Sequence, residues 1–166
     1  MGACPGLRNF DMLQKKKLTP DQGWRRAKLY CAYQERSHVE IKDKLYSFGL
    51  PRGEIEQIIA RLIDEDYLNE ERFAAAFARG KFRMKHWGRV KIRYELKQKY
   101  ISELCIKKAL KEIDEEEYLK TLEKLTEEKL EELRQEKDIL NRKKKVLSYL
   151  LQKGYERDII FSFFKD

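Results

Sequence analysis

Cysteine is scarce in this 166-residue chain, and the three copies present, Cys4, Cys31 and Cys105, stand far apart. An odd number without short spacing forms neither a disulfide framework nor a zinc cluster. The two histidines, His38 and His86, pair with no cysteine at metal-ligand spacing, so no metal is expected. Cys31 and Cys105 lie in apolar helical runs and read as small core residues. No run of about 18 apolar residues occurs and the N-terminus shows no secretory apolar segment, so no membrane association and a reducing, cytoplasmic location are expected. Period-two apolar alternation and Asn-Gly or Asp-Gly hairpin turns are missing, which argues against strands. Catalytic signatures are missing too. There is no phosphate-cradling glycine loop, no His-Glu-x-x-His and no Gly-x-Ser-x-Gly elbow, so an enzyme is not expected, nor a cofactor.

What is present is charge and a repeat. Charged residues make up 40% of the chain against only three prolines, a composition suited to long surface helices. Ile41, Leu45, Gly49 and Ile55 sit four, four and six residues apart. Ile92, Leu96, Tyr100 and Ile106 repeat that spacing 51 residues on, and Val146, Leu150, Gly154 and Ile160 repeat it a further 54 on. A period of this size marks tandem supersecondary units, each too small to bury its apolar face alone.

Local signals divide the chain accordingly. Residues 1–18 carry Lys15-Lys16-Lys17 without periodicity and read as a flexible basic tail. Repeat 1 spans 19–67. Thr19 and Gln22 form one capping box, Ser37 and Glu40 another, Gly49 supplies a left-handed stop, and Pro51 opens a third helix. Repeat 2 spans 68–113 and starts at the cap Asn69. Gly80 and Gly88 weaken or bound its helices, and Ser102 caps its last. Repeat 3, 114–166, starts near Asp114 with a long acidic helix and ends in two more. No strong breaker stands between 134 and 141, so its first two helices read as nearly continuous. The expected fold is all-α: three tandem three-helix, helix-turn-helix-like repeats.

Charge is unevenly placed. Residues 79–111 hold twelve Lys and Arg against Glu95 and Glu103, a net of +10, whereas residues 112–138 hold five bases against twelve acids, a net of −7. The basic stretch is either a face for phosphates or an acidic partner, or a solvated face neutralised by the acidic helix folding back over it. Arg83, Lys85, Arg89, Lys91, Arg93 and Lys97 are the candidate binding residues on the first reading. Tyr94 aligns with Asp43 and Ser148 in the other repeats, which places it toward solvent, for base stacking or a protein contact; packing against a neighbouring repeat is the alternative. Trp87 reads as core.

These residues also resemble a known family. Arg36-Ser37-His38-Val39-Glu40-Ile41 with Leu45 and Gly49, then Tyr67-Leu68-Asn69-Glu70-Glu71-Arg72-Phe73-Ala74, then Gly88, Ile92, Glu95, Leu96, Lys99, Ile101 and Ser102 follow the order of motifs in the RecX family. Tyr100 replaces that family's usual glycine. The third repeat matches more weakly, through Leu150, Lys153, Gly154, Tyr155 and Ile159. The resemblance implies an elongated, curved helical array. It implies a non-enzymatic regulator that binds the RecA–DNA filament in recombination, DNA repair and the SOS response, inhibiting strand exchange, ATPase and co-protease activity. RecA and single-stranded or duplex DNA, the latter held weakly and salt-sensitively, are the expected partners of a monomer. A stand-alone helix-turn-helix DNA-binding protein is the other reading, although only Gln98 on the helix after Gly88 suits base edges.

Overall fold

The computed structural model describes residues 17–164, and among these it contains nine helices and no strand. The helices are α1 (Pro20–Tyr33), α2 (His38–Ser47), α3 (Arg52–Asp64), α4 (Glu70–Lys85), α5 (Arg89–Gln98), α6 (Glu103–Lys111), α7 (Glu115–Glu132), α8 (Ile139–Lys153) and α9 (Arg157–Phe163). Most of the basic tail expected over 1–18 lies outside the described residues. At its end, the Leu18 amide donates to the Phe48 carbonyl at 3.0 Å.

The starts are set by side chains that accept the orphan amides of a first turn. Thr19 and Ser37 form reciprocal capping boxes with Gln22 and Glu40. Asn69, Ser102, Asp114 and Asp138 each accept from amides of the first turn. The threefold spacing has a direct geometric meaning. Its nine apolar members, Ile41, Leu45, Ile55, Ile92, Leu96, Ile106, Val146, Leu150 and Ile160, are all fully buried. Residues four apart share one helical face, so the first two of each copy point into the core. The third member reverses the chain in left-handed backbone, with φ of 77° at Gly49, 57° at Tyr100 and 92° at Gly154. The fourth then returns on the next helix.

The helices pack within the triplets α1–α3, α4–α6 and α7–α9. Their cores number two, not three. Trp24, Ala27, Ile41, Leu45, Ile55 and Leu62 centre the first, inside α1–α3. The second runs through α4–α9 without a break, and the aromatic series Phe82, Tyr118 and Tyr155 joins its halves. At about 25 cal/mol per Å², sharing one apolar interior lets two small units stabilise each other.

Three local expectations change. α7 and α8 are separate helices that pack together, because Asp138 caps α8 through the Leu140 and Asn141 amides while Glu136 binds Asn141 and Lys145. Gly80 bounds nothing: α4 runs through it to Lys85, since the intrinsic cost of one glycine, about 1 kcal/mol, is small beside the burial of Phe73, Ala74, Ala78 and Phe82. Trp87 packs against the second core but stays partly exposed.

Candidate polyanion interface

The cations of α5 are sorted by helical periodicity. Arg89, Arg93 and Lys97 recur every four residues and share one face; Lys91 lies about 200° away from its neighbour Arg93 at 100° per residue. The first face meets carboxylates. Arg89 is mostly buried (its side chain is 19% exposed) and pairs with Glu115 at 2.6 Å and Glu156 at 3.8 Å. Its backbone amide donates to the Tyr118 hydroxyl at 3.0 Å, and that hydroxyl donates to Glu156 at 2.5 Å. Burial pushes the Tyr118 phenol far above its usual range, with the Glu156 hydrogen bond adding to the effect, so it stays a neutral donor. Arg89 is therefore built into the junction of α5, α7 and α9. Arg93 and Lys97 both pair with Glu103, the latter at 3.4 Å.

The other face is different. Lys91 extends over the Trp87 ring, 4.6 Å from its centroid, and donates to the Gln152 carbonyl at 3.4 Å. Lys81 approaches the same ring at 5.2 Å. Lys153 of α8 reaches the Lys85 carbonyl at 3.1 Å. Arg83 and Lys85 are exposed on the last turn of α4. None of Lys81, Arg83, Lys85, Lys91 or Lys153 forms an ion pair among the described residues. Carbonyl dipoles at the ends of α4 and α8 hold two of the ammonium groups without cancelling a full charge. Tyr94 points outward, 60% exposed, beside Val90.

The six sequence-nominated cations thus do not make one patch. Arg83, Lys85 and Lys91 are brought near the α4–α5 turn; Arg93 and Lys97 are tied to Glu103; Arg89 is structural. Lys81 and Lys153 join the unpaired set. Lys153 carried a signal, because it stands 54 residues after Lys99, at the interval between repeats. The acidic α7 neutralises little of this surface: it supplies Glu115, while Glu103 belongs to α6 and Glu112 caps it, the latter holding Arg79. No helix among the described residues is long and apolar enough to cross a membrane, and no cluster of three metal-ligating side chains occurs among them.

An all-helical repeat protein with an uncompensated cationic corner and an acidic third unit is a class, and comparison narrows it. Residues 69–110 match the family model for the second three-helix domain of RecX. The chain is 29% identical over 131 residues to the regulatory protein RecX of Bacillus thuringiensis (strain Al Hakam) and to that of Bacillus cereus (strain AH187), covering 79% of this chain and 48% of each relative. It thus spans about half the length of the curated relatives it matches. The crystal structure of RecX from Lactobacillus salivarius superposes with a TM-score of 0.76 at 28% identity, over 88% of this chain and 94% of that one. A second RecX crystal structure, at 24% identity, shares the fold with a TM-score of 0.80, over 89% of this chain and 72% of that one. In sequence and in fold this chain is similar to the RecX family.

Proposed function

We propose that the protein regulates a RecA-type recombinase by docking on the recombinase–DNA filament and restraining strand exchange, ATP hydrolysis and co-protease activity. Its relatives are regulatory proteins by name. The observation that carries the reading for this chain is the set Lys81, Arg83, Lys85, Lys91 and Lys153, drawn from two repeats and left without carboxylates where nearby Arg79, Arg89 and Arg93 all have them. Uncompensated cations around a partly exposed tryptophan suit a phosphate backbone and its bases, or the acidic face of a filament. Cations already paired to glutamate would have to break those pairs first.

The test is inhibition of recombinase ATP turnover on single-stranded DNA. Reversing Arg83, Lys85 and Lys91 to Glu should leave helix content and the unfolding midpoint unchanged while raising the inhibitory concentration at least about tenfold, the equivalent of 1.4 kcal/mol. If the contacts are phosphates on single strands, losing three lowers the salt slope of binding by about 2. A folded triple variant that inhibits as well as the parent removes this corner from the mechanism. The stand-alone duplex reader has less support, because Arg93 and Lys97 on α5 are engaged by Glu103. Tight sequence-selective shifts of bare duplex, without recombinase, would favour it instead.

A further inference from the structure

The two seams between repeats are built from equivalent positions and behave differently. At the seam of α4–α6 with α7–α9, the Gly88 amide donates to the Lys153 carbonyl at 2.9 Å and the Val90 amide to the Gly154 carbonyl at 3.0 Å. Backbone meets backbone there because both edges are glycine. A Cβ on Gly88 would overlap the Gly154 carbonyl, and one on Gly154 would overlap Lys91. A shared apolar core and the Arg89, Tyr118 and Glu156 network complete this seam.

The repeat intervals carry Gly88 to Ser37, Lys91 to Glu40, Lys153 to Lys99 and Gly154 to Tyr100. These are the edges that face each other at the seam of α1–α3 with α4–α6. There the close approach is blocked twice: Tyr100 brings a side chain where the other seam has none, and the Ser37 amide is already spent on Glu40 at 2.8 Å. Among the described residues no backbone hydrogen bond joins Thr19–Tyr67 to Asn69–Phe164, and the two cores do not merge. What remains, besides the 67–69 linker, is three ion pairs: Glu40 with Lys99 at 3.2 Å, Glu35 with Arg72 at 2.9 Å and, right beside the linker, Asp66 with Arg72 at 2.8 Å, where the guanidinium also donates to the Asp66 carbonyl at 2.8 Å. Between the first two lies a groove of about 620 Å³ lined by Glu35, Glu40, Phe73, Phe77, Trp87 and Lys99 among others.

We propose that this seam is an articulation. Helices α1–α3 swing as one body about the 67–69 linker, α4–α9 move as another, and the Glu35–Arg72 and Glu40–Lys99 pairs latch the closed arrangement. Partly exposed ion pairs of this kind hold weakly and are screened by salt, whereas a shared core and backbone bonds are not. The proposal is independent of the recombinase reading.

Distance distributions between paired nitroxides test it. Labels at Lys42→Cys, Lys107→Cys and Lys144→Cys, taken in pairs with Cys4, Cys31 and Cys105 replaced by Ala, report on the two seams. The 107–144 distribution should be narrow and unaffected by salt. The 42–107 distribution should be broader, and should broaden further in 1 M NaCl or on Glu35→Gln with Glu40→Gln. Gln at position 40 keeps the capping box, so α2 stays formed. If cysteine replacement unfolds the chain, small-angle scattering of the native sequence serves instead. Its radius of gyration should rise with salt, and the double Gln variant should start higher and not respond. Equal widths at both seams, or no response to salt and neutralisation, overturns the proposal.

Discussion

At the scale of the residue, three positions in register show what one side chain decides. Gly49, Tyr100 and Gly154 all adopt positive φ, yet only two are glycine. A non-glycine residue in left-handed backbone costs roughly 1 kcal/mol or more. Tyr100 is 84% exposed and recovers little by packing. Replacing Tyr100 with Gly should therefore stabilise the chain by about 1 kcal/mol, a rise of about 2–4 °C in thermal midpoint, read by calorimetry. Gly88→Ala should do the reverse. Its φ of −74° suits alanine, so the loss, about 1–3 kcal/mol by urea unfolding, comes from the Cβ prying Gly88 off Gly154. A neutral Gly88→Ala would mean that the seam yields without cost. The repeat register puts Tyr100 at a glycine's position, an exchange that predicts a different turn after α5; the positive φ shows that the turn is kept. The contact of Gly88 with Gly154 was not legible in the sequence, since no local pattern reveals which loops will touch.

At the scale of the element, caps set where helices begin, and Ser37 with Glu40 is the most consequential. Ser37 is fully buried, and its hydroxyl accepts from the Glu40 amide. Ser37→Ala should cost about 1–2 kcal/mol in chemical unfolding. Burial, the largest influence on Glu40, pushes its carboxyl up, but hydrogen bonds from Ser37 and the charge of Lys99 outweigh it and hold the carboxyl below its ordinary 4.5. Its proton is thus bound more tightly in the unfolded chain. The stabilisation is complete above the unfolded value and is lost as pH falls through the lower folded one. Urea midpoints measured from pH 7 to pH 3 should fall on the acid side, and Glu40→Gln should flatten that fall. Asp138 illustrates a boundary that sequence reading missed. An Asp between two leucine-bearing helical stretches is a weak stop on paper; what separates α7 from α8 is its cap together with Glu136 holding Asn141 and Lys145.

At the scale of the whole molecule, charge and assembly are coupled. The middle repeat concentrates the chain's excess of positive charge, but packing redistributes it: Glu103, Glu112 and Glu115 take up Arg93, Arg79 and Arg89. Among the cations left without a carboxylate, Lys107 and Lys111 stand on α6, and the rest of the middle repeat's set joins Lys153 in a corner to which α4, α5 and α8 all contribute. Swapping Lys153 for Glu, in a repeat far along the sequence from Arg83, should weaken inhibition of recombinase ATP turnover about as much as Lys85→Glu does. A control reversal at Lys137, exposed in the α7–α8 connection, should leave it within about twofold.

Apart from the α7–α8 boundary, the sequence by itself determined the helices, most of their caps, their threefold register and the buried face of each. All of these depend on residues within a turn or two of one another, or on a period that repeats along the chain. Tertiary structure alone decided that three repeats share two cores, that one seam closes on paired glycines while the other rests on ion pairs, and which cations keep their charge. Those outcomes follow from side chains and loops brought within a few ångströms across 30 to 70 residues of sequence, where neither propensity nor periodicity reaches.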